Sequence, residues 1–109
     1  MVPPPQIAEG MAFLCDSERG IFHGDLATRN VLLTEKRVAK VSDFGLAKHL
    51  VNQEPQSFDP NAKVPVRWQA PELQISLEGD VFTYGVVLWE IFTLGETPYE
   101  GKVYTTLNQ

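Results

Sequence analysis

Residues 80–94 constrain the fold of this 109-residue chain more than any other stretch. Val81, Tyr84, Val87, Leu88, Ile91 and Phe92 recur there at spacings that place apolar side chains nearly all round a helix. A surface helix needs only one apolar stripe, whereas a helix without a polar side needs protein around it. The segment therefore predicts a buried helix that begins at Asp80 and stops at Gly95. It is the most hydrophobic part of the chain, yet it is too short to span a bilayer and contains Glu90.

Upstream, Ile7, Met11 and Leu14, with Ala8 and Phe13 beside them, recur at helical spacing and predict an amphipathic helix over 6–15. Residues 1–5, with their three prolines, read as an irregular lead-in; no basic region followed by a long apolar one marks a signal peptide. Ile21-Phe22 and Val31-Leu32-Leu33 are short apolar runs that read as strands around a loop. Residues 38–41 pair naturally with the second run through a turn at Thr34-Glu35-Lys36-Arg37. From 47 to 69, Pro, Asn, Gln, Asp and Ser dominate and neither helical nor strand periodicity survives, which predicts a long functional loop. There is no internal repeat, so 6–109 reads as part of one domain.

The net charge of −5, without any run of Lys and Arg, argues against a nucleic-acid or anionic-membrane partner. Cys15 is the only cysteine, so no internal disulfide can form and a reducing compartment fits.

Three motifs carry the chemistry. His23-Gly24-Asp25-Leu26-Ala27-Thr28-Arg29-Asn30 places an acid and, five positions on, an amide in the loop between the two apparent strands. Asp43-Phe44-Gly45 opens the long loop directly after the next strand, and Ala70-Pro71-Glu72 closes it. An isolated Asp or Asn in a loop is usually a cap or turn residue. Two carboxylates and an amide oxygen on neighbouring loops are instead the hard oxygen ligands and proton acceptor that phosphoryl transfer requires.

In this order the motifs resemble the catalytic half of a protein tyrosine kinase. The resemblance implies an α+β chain: the mainly helical C-terminal lobe of the protein-kinase-like fold, truncated at both ends. It assigns Asp25 as the acceptor of the substrate hydroxyl proton, with Arg29 as its catalytic companion. Asn30 and Asp43 would hold Mg²⁺, with Mn²⁺ as an alternative, and through it the phosphates of ATP. His23, Phe44, Gly45, Glu72 and Asp80 would be structural members of the motifs, Phe44 as a core aromatic and Gly45 as the turn that aims Asp43. Asp80 would either cap the following helix or hold the catalytic loop. Val64, Pro65, Val66, Arg67 and Trp68 resemble the wall that supports a peptide-borne tyrosine. Ala27, where Ser/Thr kinases typically carry lysine, and Arg29 match the tyrosine-kinase pattern, particularly the receptor type.

The implied activity is transfer of the ATP γ-phosphate to protein tyrosine at the cytoplasmic face, in a parent that is a single-pass receptor or a cytosolic kinase. The implied partners are a tyrosine-bearing protein, ATP and the rest of the kinase domain, with no membrane contact by this segment. A non-catalytic, truncated or pseudokinase-like interaction module is the alternative. Within these residues there is no glycine-rich phosphate-covering loop and no V-A-I-K lysine, so the segment alone is expected to be inactive. Gly24 stands where the family has arginine, and the 46–69 loop has Ser57 as its only hydroxyl residue. No arginine follows Arg67 to pair with Glu72, which would cost roughly 3–5 kcal/mol were that carboxylate buried. The stretch 73–79 is shorter than the family usually has, which predicts strain or reshaping there.

Overall fold

A computed structural model describes residues 4–16, 19–49 and 54–100. Among these, two helices, α1 (Pro4–Leu14) and α2 (Leu77–Phe92), accompany six short strands. The strands form three separate antiparallel pairs. Strand β1 (Ile21–Phe22) pairs with β4 (Lys48–His49), β2 (Val31–Leu33) with β3 (Ala39–Val41), and β5 (Gln56–Ser57) with β6 (Gln74–Ile75). The chain is thus a small α+β unit.

The β2–β3 hairpin forms where the apolar runs predict it, with Val31 opposite Val41 and Leu33 opposite Ala39. Its turn closes through Arg37 N–H to the Thr34 carbonyl, and Arg37 takes a left-handed φ of 62°. Ile21–Phe22 forms the expected strand β1, but its partner β4 and the strand β5 lie in the 47–69 stretch that periodicity reads as plain loop, and β6 lies in the link before α2. Strands of two residues are too short to show alternation, and their partners are distant in the chain.

Helix α1 begins at Pro4, two residues before the predicted start and inside the expected lead-in. Proline is tolerated in a first turn because its missing N–H has no partner to lose there. Ile7 is fully buried, and with Leu26, Val31, Val87 and Ile91 it forms the larger core cluster. Two polar ties fix α1. The Gln6 Oε1 accepts from Ala39 N–H at 2.6 Å, and the Tyr84 hydroxyl donates to the Pro4 carbonyl at 2.9 Å. A smaller cluster joins Phe22 to Ile75 beneath Cys15 and Phe58.

Helix α2 departs from the expectation in two ways. It starts at Leu77, capped by Ser76, whose side chain accepts from Gly79 N–H at 2.9 Å. Asp80 is therefore inside the first turn and is not the cap. The helix is also not wrapped in protein. Its buried stripe is Gly79, Asp80, Thr83, Val86, Val87, Glu90 and Ile91, while Val81 is 62% and Phe92 68% exposed. Leu77, Phe82 and Trp89 are also exposed. Burial on α2 is thus not set by hydropathy alone, because the buried stripe joins Val86, Val87 and Ile91 to the carboxylates and hydroxyl that bind neighbouring loops.

The link before α2 carries local backbone strain. Leu73 adopts φ 46°, a left-handed conformation costing roughly 1–2 kcal/mol for a residue with a Cβ. A Cβ on Gly79 would lie 2.8 Å from the Gln74 carbonyl oxygen, so that position tolerates only glycine without movement. Glu72 is exposed, and the expected penalty for an unpaired buried carboxylate does not arise.

Candidate functional site

The loop between β1 and β2 is held from beneath by α2. Asp80, 7% exposed, accepts from His23 N–H at 2.7 Å and from Gly24 N–H at 3.1 Å. Of the two roles considered for Asp80, this geometry is the loop-holding one. Burial raises its pKa above the ordinary carboxylate value, opposed by those two hydrogen bonds and by its electrostatic interaction with His23. The Gln69 side-chain amide adds a third buried tie, donating to the Gly24 carbonyl at 2.9 Å.

Gly24 itself has φ +81°, and a Cβ there would approach the Leu46 carbonyl oxygen to 3.1 Å. Glycine is the residue for which this backbone costs least.

His23 is buried, and its two ring nitrogens are both used. Nδ1 accepts from Asp25 N–H at 3.0 Å, which leaves Nε2 as the protonated nitrogen that donates to the Ser42 carbonyl at 2.8 Å. Asp25 is thereby fixed at its N–H by His23, and at its carbonyl by the Asn30 side-chain amide at 2.7 Å. Its carboxylate Oδ1 accepts from Arg29 at 2.8 Å, with the Asp25 side chain 17% exposed. The Arg29 guanidinium also sits 4.6 Å above the Trp68 ring, a cation–π contact. The acid is therefore joined through Arg29 to the 3-10 turn Val66–Trp68.

The second acidic position is tied to the first loop by its neighbour. Ser42 donates its N–H at 2.7 Å and its hydroxyl at 3.0 Å to the Asn30 carbonyl, which sets Asp43 beside Asn30. Asp43 is exposed and itself takes the left-handed φ of 60°. The turn expected from Gly45 is thus made by Asp43, while Gly45 donates its N–H to Asp43 Oδ1 at 3.3 Å. Phe44 is not the core aromatic expected. It is 46% exposed, with its ring 5.0 Å from that of His23.

No cluster of three or more His, Cys, Asp or Glu side chains able to hold a metal occurs among the described residues. Asn30 and Asp43 nevertheless offer an amide and a carboxylate oxygen, the hard-oxygen donor chemistry that Mg²⁺ takes. The Asn30 amide nitrogen is spent on the Asp25 carbonyl, so its oxygen is the atom of that side chain with ligand chemistry.

The residues 64–68 are all half-buried. Arg67 donates to the Pro98 carbonyl at 3.3 Å, and Val66 opens onto a cleft of about 390 Å³ shared with Pro71, Leu73, Phe82 and Tyr99. The motif pattern leaves out the groups that bind these parts together: Ser42, Gln69, Thr83, Glu90 and Thr28. Glu90 had one visible signal, a carboxylate in the middle of the otherwise uncharged run 81–94. In the structure it is 6% exposed and accepts from Thr28 N–H at 3.0 Å, the Thr28 hydroxyl at 2.7 Å and Trp68 Nε1–H at 2.7 Å.

Comparison with known proteins agrees with the motifs. The model of a family described as protein tyrosine and serine/threonine kinase matches residues 4–109. Macrophage colony-stimulating factor 1 receptor 2 of Takifugu rubripes is 49% identical over 105 residues, covering 93% of this chain and 10% of the receptor. The macrophage colony-stimulating factor 1 receptor of Felis catus is 48% identical over 100 residues, 88% of this chain and 10% of the receptor. The chain spans about a tenth of the length of the curated relatives it matches. On the match across residues 4–109 and the identity to these receptors, the chain belongs to the protein tyrosine and serine/threonine kinase family.

Proposed function

We propose that this chain is the catalytic-loop segment, from the C-terminal lobe, of a receptor-type tyrosine kinase working at the cytoplasmic face. Its parent transfers the γ-phosphate of ATP to tyrosine hydroxyls of proteins. The observation that carries this reading is the path from Asp25 through Arg29 to Trp68, which links a proton acceptor to the half-buried turn proposed as the substrate wall. Similarity to receptors supports the receptor assignment. No helix among the described residues is long and apolar enough to cross a membrane.

In this mechanism Asp25 Oδ2 accepts the hydrogen bond of the substrate tyrosine and takes its proton as the phenolic oxygen bonds to phosphorus. The bond from the γ-phosphorus to the β–γ bridging oxygen breaks, and ADP leaves with its electron pair. Arg29 orients the acid by occupying Oδ1. Asn30 and Asp43 would hold Mg²⁺, which would supply charge neutralisation at the phosphates. Residues 64–68 position the tyrosine ring, and orientation of this kind contributes several kcal/mol to such reactions.

The segment by itself covers the nucleotide from one side only and is inactive in this reading. The test uses radiolabelled ATP, Mg²⁺ or Mn²⁺ and a tyrosine-containing polymer, with the 109-residue chain and the complete kinase domain of its parent side by side. Incorporation by the complete domain that is abolished in Asp25→Asn is expected. Incorporation that persists in Asp25→Asn, or transfer to serine alone, overturns the assignment.

A further inference from the structure

Glu90 accepts three hydrogen bonds, and none comes from a cation. Two come from Thr28, immediately before Arg29, and the third from Trp68, the ring over which Arg29 lies. Arg29 in turn holds Asp25 Oδ1. A single carboxylate on α2 therefore grips both ends of the arch that Arg29 bridges. Thr83, two helical turns earlier on the same buried face, donates to the Trp68 carbonyl at 2.8 Å. The indole is thus fixed at its nitrogen by Glu90 and at its backbone by Thr83.

We infer that Glu90, acting with the Thr28 hydroxyl, is a positioning residue that sets the separation between the substrate-tyrosine wall and the Asp25 carboxylate. The inference rests on the tyrosine-kinase reading above. The physical reason lies in the alternatives open to each side chain. Without the bond to Glu90 the Trp68 indole can rotate, and Arg29, a long side chain that is nearly half exposed, loses the surface that confines it. Asp25 Oδ1 then loses a fixed donor, and the acid samples orientations in which Oδ2 no longer meets the substrate hydroxyl. The Thr28 hydroxyl matters because it occupies Glu90 Oε2, leaving Oε1 to receive both the Thr28 N–H and the indole.

This arrangement distinguishes geometry from charge. Glutamine at position 90 can reproduce every contact: its Oε1 accepts the two N–H groups, and its Nε2 donates to the Thr28 oxygen, whose proton turns away. Leucine of similar size reproduces none. A role confined to holding the fold predicts that stability falls while the surviving folded enzyme turns over normally. A positioning role predicts slower turnover in enzyme that is folded and binds ATP.

The experiment compares wild type, Glu90→Gln, Glu90→Leu and Thr28→Val in the complete kinase domain of the parent. Wild-type activity and its loss in Asp25→Asn are established first, so that failure of the functional reading shows itself separately. In Glu90→Leu, kcat is expected to fall at least about tenfold with KM for ATP unchanged, and in Glu90→Gln to return within about twofold of wild type. Thr28→Val, which removes one hydroxyl and is the milder change should Glu90→Leu not fold, is expected to lower kcat about threefold or more. A readout independent of turnover is the ring-current shift of the Arg29 Nε–H resonance in the 109-residue chain. It should move in Thr28→Val and stay in Glu90→Gln. Normal kcat in folded Thr28→Val and Glu90→Leu, or an Arg29 resonance unmoved by Thr28→Val, overturns the inference.

Discussion

Replacing Asp80 by alanine removes the acceptor of two buried N–H groups at once. The bonds at 2.7 Å from His23 and 3.1 Å from Gly24 have no alternative among the described residues, and both donors are buried. A buried donor left without a partner costs about 1–3 kcal/mol, so the pair predicts a loss of roughly 2–6 kcal/mol. The offset is the relief of a desolvated carboxylate, whose direction appears in the raised pKa. Asp80→Asn should cost about half as much, because its oxygen still accepts one N–H while its amino group faces the other. Urea unfolding of the chain measures the loss, and amide hydrogen exchange at His23 and Gly24 locates it. A midpoint unchanged in Asp80→Ala, with both amides protected as in wild type, would refute the reasoning.

The pH dependence supplies a second readout of the same group. Because the folded-state pKa lies above the ordinary value of 3.8, the folded chain binds the proton more tightly than the unfolded chain. The Asp80 contribution is therefore fully present below that value and declines as pH rises toward the folded-state pKa, above which it is constant. The stability difference between wild type and Asp80→Asn should shrink across that window.

At Gly24, an alanine must adopt φ +81° and approach the Leu46 carbonyl to 3.1 Å, so Gly24→Ala should lower stability by about 1–2 kcal/mol, read from urea midpoints. Ser76→Ala removes the N-cap bond to Gly79 and should cost about 1 kcal/mol, with reduced far-ultraviolet helicity as the check. The exposed Val81 and Phe92 should bind an apolar dye, and the double substitution Val81→Glu, Phe92→Lys should reduce that signal without lowering the unfolding midpoint. In the complete kinase domain, Ser57→Ala and phosphatase treatment should change turnover by less than about tenfold, or 1.4 kcal/mol of barrier. The reason is that Gly24 replaces the arginine that would receive a phosphate on this loop.

What the sequence determined by itself was local and periodic. Alternating or helical recurrence over several residues marks α1, the β2–β3 hairpin and α2, because each element shows its period within its own length. The order of His23, Asp25 and Asn30, then Asp43, then Glu72 was equally open to reading, since loop chemistry of this kind is written in residue type and spacing. Tertiary structure alone decided which side of α2 is buried. Hydropathy is apolar nearly all round and selects no side, and the stripe that meets the rest of the chain is the one bearing Asp80, Thr83 and Glu90 beside Val87 and Ile91, leaving Val81 and Phe92 exposed. Each of those three groups finds donors or acceptors on a loop far away in sequence: His23, Gly24 and Thr28 on one, Trp68 on the other. A hydrogen bond across 57 or 62 positions leaves no period in the chain, so loop holding stood for Asp80 only as one of two roles, and the clamp at Glu90 could not be read before the elements were packed. The left-handed turn belongs to the same class: it falls on Asp43, which backbone context set, and not on Gly45, which residue preference alone would choose.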